Sequence, residues 1–244
     1  MKTIDFNCDL GEGLGNEADI MPFISSCNIA CGGHSGDTGS MTDTLRLAKK
    51  HGVKAGAHPS YPDRSNFGRK IIRIKSGDLL DSLACQIHAL EQIASGLDIR
   101  LHHIKFHGAL YHSVAHDPET AGLVVKMMER YFSQYYLYVP YPSMVSKVAL
   151  QAGLRIKHEV FADRNYGPDF QLLSRSLPNS LILDQPAVLE HVGNIVRENR
   201  VRAVSGEWLP VKADTLCLHG DHPGARLLAP AIYQKLQEEG YRIQ

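Results

Sequence analysis

No stretch of 18 apolar residues occurs in this 244-residue chain, so no segment reads as a transmembrane helix. The start lacks the basic, apolar and small-residue succession of a secretion leader, and a cytoplasmic protein is expected. Neither sign of charge is in excess: 26 Lys and Arg face 26 Asp and Glu, and no basic run of four occurs. That argues against nucleic acid or an anionic membrane as a partner. Cysteine is sparse, five residues and so an odd count. Four of them, Cys8, Cys27, Cys31 and Cys217, fall in β-like runs, and Cys27 and Cys31 lack CxxC spacing. Buried free thiols are expected in place of disulfides or a structural zinc site. The Gly-x-Ser-x-Gly elbow is missing and the strand-borne cysteines lack a helix N-terminal setting, which disfavours covalent Ser or Cys catalysis. Gly11-x-Gly13-x-Gly15 has neither the dinucleotide glycine spacing nor a following Gly-Lys-Ser/Thr, so it reads as a turn and not a phosphate loop.

What the chain does have is a recurring unit. Seven times a short β-like run ends in a polar cluster. The runs are Thr3–Glu12, Asn28–Asp37, Ala55–Arg64, Ile104–Tyr111, Leu137–Pro142, Glu159–Arg164 and Leu216–Asp221. Helix-period segments lie between them, at 41–51, 77–95, from Pro118, at 143–151, at 185–199 and at 223–239. His51, His88 and His191 fall in these segments and are expected at the surface or on a helix face. Alternation of strand and helix argues for a parallel sheet with right-handed crossovers. Composition shows no break, so residues 1–244 are read as one catalytic domain. Seven strands fit a parallel (β/α) barrel, with a doubly wound sheet as the alternative.

Period-two alternation sorts the faces. Ile4, Phe6 and Cys8 point toward helices, while Asp5, Asn7 and Asp9 point inward. By the same parity Asn28 goes with His34, Gly56 with His58, Lys105 with His107, Glu159 with Asp163, and Cys217 with His219 and Asp221. The polar set is expected to converge on one mouth at the strand ends. Asp9 and Glu12 are two carboxylates that can divide acid and base roles or bind a divalent cation. His34-x-x-Asp37 can hold a metal or orient a base, although Asp37 can equally cap the next helix. Asp63, Arg64 and Arg69 form a rigid loop suited to a carboxylate or phosphate. Lys105 can stabilise an oxyanion, and His107 can move protons.

These motifs, Asp5–Glu12, Asn28–Asp37, Gly56–Arg69, Lys105–Tyr111, Glu159–Tyr166 and Cys217–Ala225, resemble in order those of the LamB/YcsF family. Its members are the A subunits of prokaryotic ATP-dependent 5-oxoprolinase. The chain departs from the family pattern at Gly33, Ser35, Phe106, His112, Phe170 and His222, none of them a charged motif position. The resemblance implies a seven-stranded (β/α) barrel like those of glycoside hydrolases and polysaccharide deacetylases. It implies the reaction 5-oxo-L-proline + ATP + 2 H₂O → L-glutamate + ADP + phosphate, with separate B and C subunits. On that reading Asp9, Glu12, His34, His58, Lys105, His107, Glu159 and His219 are the candidates for catalysis. Asn7, Asn28, Asp37, Asp63, Arg64, Arg69, Tyr111, Asp163, Arg164 and Asp221 are the candidates for holding substrate. ATP is the expected cosubstrate, and a divalent cation such as Mg²⁺ a further expectation. The alternative is a free-standing metal-dependent hydrolase of a cyclic amide or acetylated sugar, with Asp9, His34 and His58 as ligands.

Overall fold

The computed structural model describes residues 2–244. In chain order the elements begin β1 (Lys2–Leu10), α1 (Glu17–Ile20), β2 (Ser26–Ala30), α2 (Thr38–His51), β3 (Lys54–His58) and α3 (Ser76–Gly96). They continue with β4 (His103–Lys105), α4 (Gly108–His116), α5 (Pro118–Tyr131), β5 (Tyr136–Pro140), α6 (Met144–Gln151) and β6 (Ile156–Phe161). The last are α7 (Gln185–Glu198), β7 (Arg200–Arg202), β8 (Trp208–Pro210), β9 (Thr215–His219), α8 (Ala225–Glu238) and β10 (Tyr241–Ile243). Strands β1 to β6 and β9 pair side by side, all parallel, and β9 returns to β1. The seven expected runs thus close a seven-stranded barrel. Three short strands lie beyond the expected set: β10 pairs with Lys2–Ile4 of β1, and β7 and β8 form an antiparallel hairpin.

Local sequence explains the helices that cover the barrel. Asp37 and Ser40 form a capping box at the start of α2, and Gly52 ends it in the left-handed region at φ 68°. Asp117, Ser143 and Asp184 cap α5, α6 and α7, and Pro118 occupies the first turn of α5. Leu79, Leu83, Ile87, Leu90 and Ala94 form the buried stripe of α3 against the sheet. Helix α4 is an addition to the expected helices, and Tyr111 rides on it instead of on a strand-end loop. Its first residue, Gly108, has φ 56° and lies so near Gly68 that a Cβ would stand 2.6 Å from that carbonyl oxygen. His191 is not at the surface: it is buried and donates to the Phe161 carbonyl at 3.0 Å. All five cysteines are free, and only Cys85 is exposed. No helix among the described residues is long and apolar enough to cross a membrane.

The register places the site. Asp9 lies beside Asn28 of β2 and His219 of β9, and Asn28 lies beside Gly56 of β3. Ile4, Phe6, Cys8 and Leu10 enter the apolar layer under the helices, so Asp5, Asn7 and Asp9 line the interior. At Gly56 a Cβ would come within 2.3 Å of the His103 imidazole, so the missing side chain makes room for that ring inside the barrel.

Candidate active site

A buried charge network crosses the upper interior of the barrel. Lys105 Nζ donates to Asp9 Oδ1 at 2.8 Å, lies 3.0 Å from Glu159 Oε1 and 3.0 Å from Cys217 Sγ. Asn7 donates to Glu159 at 2.9 Å and to Thr215 Oγ1 at 2.7 Å. Asn28 Nδ2 donates to Asn7 Oδ1 and Asp9 Oδ1, each at 2.7 Å, and Asn28 Oδ1 lies 2.7 Å from His103 Nε2. The Tyr111 hydroxyl donates to Glu159 Oε2 at 2.7 Å. Burial opposes charge on both partners of the central pair, yet the pair holds it. His58 and Lys105 keep Asp9 well below the usual carboxylate range, and Asp9 and Glu159 keep Lys105 well above an ordinary lysine.

Above this network, four donors converge: Glu12, His34, His58 and His107, one ligand atom of each within 4.8 Å of the others. Two carbonyls fix the tautomers of His58 and His107. His58 Nδ1 donates to the Lys105 carbonyl at 2.8 Å, and His107 Nε2 donates to the Phe67 carbonyl at 3.0 Å. A carbonyl oxygen only accepts, so both of those nitrogens carry protons. The remaining nitrogens, His58 Nε2 and His107 Nδ1, face each other at 3.0 Å. In neutral rings that is lone pair against lone pair. Burial first, then the neighbouring histidines, holds His107 well below its usual value and His34 down to about 2. Glu12 Oε1 closes the group, 3.1 Å from His34 Nε2 and 3.6 Å from His107 Nδ1. Burial and the charge of Asp9 raise Glu12 to about 7. Converging lone pairs, a carboxylate and three imidazoles, two of them anchored by carbonyls, fit a divalent cation. Three imidazoles with one carboxylate suit a zinc-like transition metal better than Mg²⁺, which prefers oxygen. The carboxylate in this set is Glu12, not Asp9 as the Asp-His-His expectation had it. Asp9 spends Oδ1 on Lys105 and Asn28, and its Oδ2 lies 3.5 Å from His58 Nε2.

Both groups open on a cavity of about 630 Å³ lined by Asp9, His58, Lys105, His107 and His219, with Arg69 and Arg175 toward its edge. His219 Nδ1 lies 3.0 Å from both oxygens of Asp163, which leaves Nε2 for a ligand. Asp163 therefore orients His219 in place of holding substrate. Burial raises an isolated carboxyl, but His219 overrides it and brings Asp163 down to about 2. Asp221, from the loop after β9, pairs with both Arg69 and Arg175.

Four candidates are committed elsewhere. Asp37 is spent on the α2 capping box, and Asp63 accepts from Ser65 and Asn66 in its own turn. Arg64 donates to the carbonyls of Gly32 at 3.2 Å and Gly36 at 2.9 Å, which ties two loops together. Arg164 lines the cavity but commits Nε to Ser180 O at 3.0 Å and Nη2 to Leu173 O. In each case a short polar side chain or guanidinium finds partners nearby, most of them backbone, which residue type alone does not reveal. Three residues of the constellation are not singled out by the sequence motifs: Thr215, one position before the last run, and His103 and Arg175. His103 shares the parity of Lys105 and His107, so alternation was the available signal. Arg175 sits in an irregular segment without periodicity, and nothing in the sequence marks it.

Residues 4–244 match the LamB/YcsF family. A protein of Syntrophobacter fumaroxidans, named as the A subunit of 5-oxoprolinase, is 41% identical over 248 residues, spanning 100% of this chain and 98% of that protein. Its Pyrococcus abyssi namesake is 38% identical over 245 residues, spanning 98% and 96%. The crystal structure of a lactam utilization protein from Thermus thermophilus superposes with a TM-score of 0.92 at 36% identity, over 100% of this chain and 99% of that one. A T48 deacetylase shares the fold alone, with a TM-score of 0.53 at 12% identity over 100% and 87%. By sequence over almost its whole length, and by a barrel that superposes on a relative's, this chain belongs to the LamB/YcsF family.

Proposed function

We propose that this chain is the A subunit of an ATP-dependent 5-oxoprolinase, a single catalytic barrel that opens 5-oxo-L-proline to L-glutamate with B and C subunits in the cytoplasm. The observation that carries this reading is the full-length likeness to proteins bearing that 5-oxoprolinase name. The site has the chemistry such a step demands. A five-membered lactam is a weak electrophile; phosphorylation of its oxygen by ATP, which leaves as ADP, activates the ring carbon, one water attacks that carbon and the ring C–N bond breaks to leave an acyl phosphate, and a second water releases phosphate to give L-glutamate. His219, held in one tautomer by Asp163, is the group that takes a proton from water and returns it to the departing nitrogen. Asp9 and Glu159 keep Lys105 charged, and that fixed cation stabilises developing negative charge. Glu12, His34, His58 and His107 would hold a divalent cation, which when bound supplies Lewis acidity. ATP is assigned to the assembled enzyme and to no particular chain of it.

The test is glutamate release from 5-oxoproline, coupled to ADP formation, with and without the partner subunits. Turnover is expected from the assembly, and little or none from the lone chain. Absence of turnover by the full assembly, or efficient ATP-coupled turnover by the lone chain, sinks the reading. The four-donor cluster favours a second reading, a free-standing metal-dependent hydrolase. It predicts that the lone chain, loaded with Zn²⁺ and without ATP, releases acetate from an N-acetylated sugar or opens a cyclic amide.

A further inference from the structure

The 5-oxoproline ring carries a carboxylate as well as the lactam, and the proposed function assigns the network at the barrel centre to the lactam end. The cations at the cavity edge are left to account for. Arg69 follows β3, Arg175 lies between β6 and α7, and Asp221 follows β9, so three loops meet there. Arg175 binds Asp221 end-on through two hydrogen bonds of 2.9 and 3.0 Å, and Arg69 Nη2 binds the same carboxylate. Two guanidinium charges thus share one carboxylate, and one positive charge is left over. Neither arginine is sealed off: the side chains are 39% exposed for Arg69 and 24% for Arg175, and both line the cavity that holds Asp9 and His219. Arg69 is further steadied by lying 4.8 Å over the Phe67 ring. The loop that carries Arg175 is braced from below, because Arg164 grips the carbonyls of Leu173 and Ser180 on either side of it.

We infer that Arg175, together with Arg69, is the anchor for the substrate's carboxylate, and that Arg164 acts as the positioning residue that holds the anchoring loop. The assignment rests on the 5-oxoproline reading and names the residue that selects for it. A guanidinium presents a planar fork that matches a carboxylate, and the edge of Arg175 bearing Nε is not used by Asp221. One bound carboxylate brings Arg69, Arg175, Asp221 and ligand to neutrality.

The experiment is titration calorimetry on the full chain with 5-oxo-L-proline and with 2-pyrrolidinone, the same ring without a carboxylate. Inorganic phosphate is a third arm. Wild type is expected to prefer 5-oxoproline. Arg175→Gln is expected to lose on the order of tenfold or more in affinity for it, the scale of one charge-assisted hydrogen bond, with 2-pyrrolidinone unaffected. Arg69→Gln provides the same reading should Arg175→Gln fail to fold. A folded variant that keeps the wild-type preference overturns the anchor, and so does a variant that weakens only for phosphate. Wild type without any preference overturns it as well. The reaction itself is judged separately, by turnover of the assembled enzyme. Selective binding without turnover removes the reaction and keeps the anchor; turnover with selectivity indifferent to Arg175 removes the anchor alone.

Discussion

At the scale of single residues, Asp9 holds Lys105 in place, and the proposed function makes that hold matter for catalysis. Asp9→Asn removes one of the two carboxylates that hold the buried Lys105, and Glu159 at 3.0 Å remains. Breaking a buried pair outright costs about 3–5 kcal/mol. The variant is therefore expected to stay folded with a lowered melting temperature, while the assembled rate drops on the order of 10²–10³-fold, the scale of losing a fixed charge-stabilising group, because Lys105 is no longer held in place. Near-normal turnover in a folded variant contradicts the role. Asp163 offers a pH test. Its folded value of about 2 lies below the ordinary carboxyl value of 3.8, so its contribution is complete above pH ~4 and is lost as pH falls through about 2. The shift corresponds to about 2–3 kcal/mol, at roughly 1.4 kcal/mol per pH unit. Urea unfolding at several pH values is expected to show a flatter acid limb for Asp163→Asn than for wild type. Parallel limbs show that His219 does not hold Asp163 ionised.

At the scale of elements, caps and strand ends compete for the same residue types. Asp37 and Asp63 look like site residues because they follow strands, and in the structure they close turns. Asp37→Ala is expected to cost about 1 kcal/mol of stability, the usual loss of an N-cap, with turnover by the assembly unchanged. A large loss of rate with a small loss of stability returns Asp37 to the site. The strands were legible because alternation is local: each of the seven runs became a barrel strand, and inward parity found Asn7, Asp9, Lys105, Glu159 and His219. Helix α4 escaped because it begins inside a strand-end motif, Lys105–Tyr111, at a glycine whose closeness to Gly68 is a tertiary contact.

At the scale of the whole molecule, the four-donor cluster links metal to global stability. It joins the loop after β1, the loop after β2, the end of β3 and the residue before α4, so a cation bound there ties four segments together. Zn²⁺ in about hundredfold excess over its dissociation constant is expected to stabilise the fold by about 2.7 kcal/mol. That raises the melting temperature by several degrees, on the order of 2–4 °C per kcal/mol for a chain of this size. His58→Gln is expected to abolish the rise, and a thermal shift assay reads both without any need for activity. An equal rise in His58→Gln places the metal elsewhere.

The sequence by itself determined the strand count, the inward parity, the pool of ionisable groups and the family motifs, because each is written in residues close along the chain. Only the tertiary structure decided how that pool divides. Glu12 joins the three histidines of the donor cluster, while Asp9 Oδ1 is bound by Lys105 and Asn28, residues 96 and 19 positions away. Asp163 serves His219 across 56 positions, and Arg175 meets Asp221 across 46. A side chain's role is set by which partner reaches it first, and barrel closure brings those partners from distant segments. No local pattern encodes that choice.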